Sequence, residues 1–148
     1  GSIANVLFAR SVNTNEKFAA ESDFNDGFEG DNMHAIYQNG KEVYKFAVKA
    51  LPHAFEKSAE KIGISADEID LFVPHQANLR ILETAAKNLG VSMDKFFVSL
   101  DKFGNTSSAS IPIALDIALE ENKINNGDKI CLVGFGAGLT SASIIMEF

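Results

Sequence analysis

The chain has 148 residues, 46% of them hydrophobic and 22% charged, which suits one domain with a real core; no run approaches the roughly 18 apolar residues that span a membrane. A net charge of −7 argues against general nucleic-acid binding. The lone cysteine, Cys131, offers no intramolecular disulfide and no thiolate metal site, and points to a reducing, cytoplasmic setting.

In chain order, Gly1 to Asn5 lacks the charged-then-apolar pattern of a signal peptide, and Ile3 to Arg10, rich in Val, Leu and Phe, predicts a strand. Residues 11–39, polar through Asn32, read as a long surface excursion. From Gly40 to Lys61 apolar residues recur at helical spacing (Val43, Phe46, Ala47, Ala50, Leu51, Ala54, Phe55), and Pro52 inside the pattern predicts a kink or two abutting helices. Ser65-Ala66-Asp67-Glu68 has the form of a capping box opening a short helical turn. Leu71-Phe72-Val73, closed by Pro74, predicts a buried strand, and residues 78–88 a helix ended by Gly90. Phe96 to Leu100 predicts another strand, and Ser107 to Glu121 a helix with Ile111, Ala114, Leu115 and Ala118 on one face. After the turn at Asn125 to Asp128, strands are expected over Lys129 to Val133 and Leu139 to Met146, on either side of a glycine-rich loop. Strands alternating with helices imply a largely parallel α/β sheet. The last two strands are too close for a crossover and should form an antiparallel hairpin. The expectation is one domain over residues 1–148 with a mixed five-stranded sheet and helices packed on its faces.

Three segments carry candidate chemistry, each at a strand end, where sites form in open α/β sheets. Val73-Pro74-His75-Gln76-Ala77-Asn78 places a histidine between a strand and a helix. Gly104-Asn105-Thr106-Ser107-Ser108-Ala109-Ser110 precedes the next helix, and Gly134-Phe135-Gly136-Ala137-Gly138 follows a third strand. Taken singly, each has a plainer reading: a packed structural histidine, a helix cap at Asn105, a tight hairpin of glycines. The glycines do not match a dinucleotide fingerprint, since a strand and not a helix follows them.

Taken together they are specific. Pro-His-Gln-Ala-Asn-Leu-Arg-Ile from Pro74 to Ile81 resembles the active-site histidine motif of the β-ketoacyl-(acyl-carrier-protein) synthase III family, a group of thiolase-fold condensing enzymes. Gly104 to Ser107 with Ala109-Ser110 resembles that family's asparagine motif, and Gly134 to Thr140 its carboxyl-terminal glycine loop, in the same order and spacing. Ser141 stands where the family often has tryptophan.

The resemblance implies the carboxyl-terminal half of a five-layered α-β-α-β-α fold and a decarboxylative condensation of acyl-CoA with malonyl-carrier protein that initiates fatty acid synthesis. It implies no cofactor; CoA and carrier-protein thioesters are substrates. It assigns His75 and Asn105 as donors to the malonyl thioester oxygen, and the backbone of Gly136, Ala137 and Gly138, with Ala137 as donor, to the acyl-transfer oxyanion. Asn78 would position the substrate arm, and Arg80 would contact the acyl carrier protein, with Lys87 on roughly the same helical face. The helix beginning near Asn78 should favour neutral imidazole at His75. The family's nucleophilic cysteine belongs to the preceding, amino-terminal half, so this chain alone should be inactive, with an apolar face towards that partner half and a tendency to self-associate; the whole protein would be a homodimer. Cys131, inside an apolar strand, reads as a small hydrophobe, and His34 and His53 as loop and helix-surface residues. Rival readings are a related acyltransferase of secondary metabolism and a non-catalytic module that binds carrier protein.

Overall fold

The computed structural model describes residues 7–9 and 36–148. The elements are β1 (Leu7–Ala9), β2 (Ile36–Gln38), α1 (Gly40–Ile62), β3 (Leu71–Pro74), α2 (Leu79–Leu89), α3 (Leu100–Phe103), α4 (Ser110–Glu120), β4 (Lys129–Gly136) and β5 (Thr140–Glu147). Single 3-10 turns at Ala66–Glu68, Met93–Lys95 and Ser107–Ala109 join them. His34 and most of the expected excursion lie outside the described residues. Its end is corrected: Ile36–Gln38 is a strand, paired antiparallel with β1 through Phe8 and Tyr37. The β-favouring Ile and Tyr there outweigh the polar setting.

The main sheet is mixed, as expected. β3 runs parallel to β4, and β4 pairs antiparallel with β5 from Lys129–Glu147 to Gly136–Thr140. It has three strands, however, and the strand expected over Phe96 to Leu100 does not form. Phe96 makes one isolated parallel bridge to Phe72, and the Phe97 N–H donates to the Phe72 carbonyl at 2.8 Å. The chain then turns into α3. The next ladder position is taken by a side chain: the Gln76 amide donates to the carbonyls of Pro74 (2.8 Å) and Phe97 (3.1 Å) and accepts from the Ser99 N–H (2.9 Å). Because both its donor and its acceptor are used, this buried glutamine ends the pairing without leaving orphaned backbone groups.

The two-residue period of β3 sorts the core. Phe72 faces a cluster built from α1 and α2, with Leu51, Phe55, Leu82 and Ala85. Its ring stands edge-on to Phe55 at 5.2 Å and stacks on Phe96 at 4.8 Å. Leu71 and Val73 face the other way, onto Ala114 and Ala118 of α4. Local caps close several of these elements, while the helix expected from Ser107 begins at Ser110 after a single 3-10 turn. Asn39 accepts from the Glu42 N–H at the start of α1, Gly63 and Gly90 close α1 and α2 in the left-handed conformation, and the Glu68 carboxylate accepts from the Ser65 N–H at 2.8 Å.

α1 is one uninterrupted helix through Pro52, so the two abutting helices do not form. Proline at 52 lacks the N–H that would reach the carbonyl of Val48. That carbonyl accepts from the Asn88 side-chain amide of α2 at 3.0 Å instead. A group from a neighbouring helix repairs the gap, and it also ties α1 to α2. Asn88→Ala should therefore lower stability by about 1 kcal/mol, and Asn88→Asp, which cannot donate, should do the same. Chemical denaturation of the two variants checks this; an unchanged midpoint in both would show the bond to be idle.

Candidate active site

The three loops singled out from the sequence meet on one cavity of about 660 Å³. His75, Asn78, Asn105, Ser107, Gly136 and Ala137 are among the residues on its wall. They converge because β3 and β4 are parallel and both end here, while the loop before α4 packs against those ends.

His75 leaves the end of β3 with its N–H bonded to the Val133 carbonyl at 2.8 Å. Its ring stands edge-on to Phe135 of β4, with centroids 5.3 Å apart and planes at 70°. Nδ1 lies 2.5 Å from the Ser110 hydroxyl at the start of α4. The ring is about half buried, and that burial holds its pKa below the ordinary value, so the neutral imidazole is favoured at pH 7. The expectation of a neutral ring rested on the helix that follows; burial of the ring acts in the same direction. Gly134 allows the close approach of this wall: a Cβ there would come within 3.2 Å of Ile111 Cδ1 and 3.6 Å of His75 Cβ.

Asn105 follows Gly104, whose φ of +64° turns the chain out of α3. Its Oδ1 accepts from the Ser107 N–H at 2.9 Å. This is an Asx turn, not a cap on α4, which begins at Ser110. With the oxygen held by backbone, the Asn105 amide NH₂ is the end left to donate to a ligand. Ser107 pays for this geometry with a left-handed φ of +56°, unusual for a residue with a side chain.

β4 is longer than expected and runs through Gly136, so the glycine-rich segment is strand followed by a tight turn at Ala137 to Leu139. Gly138 has φ +74° and Leu139 +50°, while Ala137 stays outside the left-handed region, as an alanine donor requires. Asn78 caps α2, its Oδ1 accepting from the Arg80 N–H at 2.9 Å, and its amide borders the cavity. Arg80 and Lys87 are exposed on α2. His53 is exposed on α1 as expected.

Cys131 is not part of this wall. It is fully buried in β4, and burial pushes its thiol up to about 12. Thiol reagents should label it only as the chain unfolds. Its linkage runs to the alkaline side: the folded pKa is raised, so from the ordinary value of 9.0 towards about 12 the unfolded state loses the proton first. Stability from this group is intact below pH 9 and declines above it. Cys131→Ala should flatten that decline in a pH series of melting temperatures.

Two site residues escape the sequence reading. Ser110 looks like one more small polar residue at a helix start, and Gln76 like a spacer between His75 and Asn78. Among the described residues no group of three or more His, Cys, Asp or Glu side chains forms a metal cluster, and no helix is long and apolar enough to cross a membrane.

Known proteins resemble this chain in sequence and in fold. Residues 59–148 match the family model described as 3-oxoacyl-[acyl-carrier-protein] synthase III C terminal. The β-ketoacyl-[acyl-carrier-protein] synthase III of Natranaerobius thermophilus is 51% identical over 115 residues, 78% of this chain and 35% of that protein. That of Oceanobacillus iheyensis is 51% identical over 113 residues, 76% of this chain and 36% of the relative. The crystal structure of the Thermus thermophilus synthase III superposes on all of this chain with a TM-score of 0.82 at 38% identity, using 43% of its own length. The chain thus spans about a third of the curated relatives it matches. With His75, Asn105 and the glycine turn on one wall of a thiolase-like α/β fold, this chain belongs to the β-ketoacyl-[acyl-carrier-protein] synthase III family and corresponds to its carboxyl-terminal domain.

Proposed function

We propose that this chain supplies the decarboxylation side of a synthase III active site. The whole enzyme would condense an acyl group from acyl-CoA with malonyl-carrier protein, as the first step of fatty acid synthesis. The carrying observation is that His75 and Asn105 line the same cavity, each with one end of its side chain held by the protein and the other end open. When malonyl thioester loses carbon dioxide, the electron pair of the broken C–C bond moves onto the thioester oxygen. Two fixed donors stabilise that enolate more than the neutral thioester. The enolate carbon then attacks the acyl-cysteine thioester, and the cysteine thiolate leaves. The Ala137 N–H serves the oxyanion formed in acyl transfer, Asn78 the substrate arm, and Arg80 the carrier protein. The chain needs no cofactor for these steps.

The nucleophilic cysteine would come from the part of the fold that has no counterpart here, since Cys131 is buried and protonated. The chain alone would then be inactive. An apolar face supports docking of that other half and homodimer assembly: a groove of about 410 Å³ beside β5 is lined by Ile111, Leu132, Phe135 and Ile144, with Ile144 61% exposed.

The test is reconstitution. Mixed with a separately expressed amino-terminal half, the chain should release carbon dioxide and form condensed product from acyl-CoA and malonyl-carrier protein, and Asn105→Ala should abolish most of that activity. An assembled, folded complex with no activity would overturn the reading.

A further inference from the structure

We propose that Ser110 is a positioning residue that fixes the tautomer of His75, holding the proton on Nε2 so that the ring presents an N–H donor to the cavity. The inference deepens the proposed role of His75 and rests on that reading for its functional meaning. It is carried by the hydrogen-bond geometry alone.

Ser110 is buried at the first residue of α4. Its hydroxyl oxygen has two close partners, the Gln76 backbone N–H at 3.2 Å and His75 Nδ1 at 2.5 Å. The Gln76 N–H can only donate, so it uses a lone pair of the serine oxygen. The serine hydrogen needs an acceptor, because a buried hydroxyl left without one is costly. Of the two partners only Nδ1 can accept. Nδ1 therefore carries the lone pair, and in the neutral ring the proton sits on Nε2. Nε2 has no hydrogen-bond partner among the described residues, and the ring borders the cavity.

The alternative polarity, with Nδ1–H donating to Ser110, would leave Nε2 as an acceptor facing the substrate. That ring would repel an enolate oxygen where the first would stabilise it. A buried serine that is also held by a backbone N–H selects between the two. Among the described residues no charged side chain lines the cavity, and Tyr44 is the other titratable group on its wall, so the serine is the polar partner that sets the ring.

The experiment is nitrogen NMR of the labelled 148-residue chain, which has three histidines. His75→Gln identifies the His75 signals by their loss. In the parent chain at neutral pH, Nδ1 should show the shift of an unprotonated ring nitrogen and Nε2 that of a protonated one. A protonated Nδ1 overturns the proposal without any variant. Ser110→Ala should move both nitrogens towards a common averaged shift and raise the His75 titration midpoint, because a donor to the neutral ring is gone. A lowered midpoint would mean that the serine accepts from Nδ1–H, and would also overturn it. Ser110→Thr, which keeps the hydroxyl, should retain the parent pattern. None of these readings depends on activity, so they stand or fall apart from the assignment of the reaction.

Discussion

Replacing His75 by alanine in the reconstituted enzyme should slow malonyl decarboxylation by about 100- to 1,000-fold while leaving acylation of the nucleophile largely intact. The split follows from where the donors sit. His75 and Asn105 come from the loops after β3 and before α4, whereas the Ala137 N–H that would serve acyl transfer lies on the turn after β4. On the proposed roles, removing the imidazole would leave Asn105 as the remaining side-chain donor to the enolate. Single-turnover measurements distinguish the two steps: acyl transfer from labelled acyl-CoA reads one, and carbon dioxide release reads the other. Equal losses in both would point to a collapsed wall, and retention of decarboxylation within a small factor would remove His75 from the mechanism.

The pH dependence has a matching sign. Burial lowers the His75 pKa, so the neutral donor persists from alkaline pH down through neutrality and is lost only as pH falls through the depressed value. Decarboxylation should thus be flat across pH 7. Folding stability contributed by the uncharged ring should likewise be intact above the ordinary value of 6.5 and decline as the medium becomes more acid, because the unfolded chain takes up the proton first.

Much of this site was legible because its signals are local. His75 sits between a strand and a helix, Asn105 follows a glycine before a helix, and the glycine turn follows a strand; the first and third converge because β3 and β4 are parallel, and the loop before α4 packs against their ends. The end of α2 at Gly90 and the turn opened by Ser65 and Glu68 were legible for the same reason, as such caps act within one turn. What was not legible depends on partners far along the chain. Pro52 reads as a break until Asn88, 36 residues later, supplies the missing donor. Ser110 reads as one more residue of the helix expected from Ser107 until the fold places it against His75. Phe96 to Leu100 has the apolar character of a strand, yet its pairing stops after one bridge because a glutamine side chain occupies the next position.

That glutamine leads to the second large effect. Gln76→Leu should cost roughly 3 kcal/mol or more of stability, since it leaves the carbonyls of Pro74 and Phe97 and the N–H of Ser99 unpaired, each worth about 1–3 kcal/mol when buried. Pro74, Phe97 and Ser99 are all buried, so water cannot readily substitute. Leucine is close in size, which separates the lost hydrogen bonds from a cavity effect. The consequence reaches the site, because Gln76 joins the end of β3, which carries His75, to the segment that continues through α3 to Asn105. With that strut gone, the two donors would be held by separate loops and their spacing would widen. A reconstituted Gln76→Leu enzyme assayed well below its melting temperature should therefore lose decarboxylation rate beyond what its folded fraction explains. Denaturation curves and rates on the same preparation test both parts. A stability loss under about 1 kcal/mol would show that the segment after Phe97 is held by the aromatic stack of Phe72 on Phe96 and the Phe97–Phe72 backbone bond without the glutamine. Full activity in a destabilised variant would show that the two loops keep their spacing without the strut.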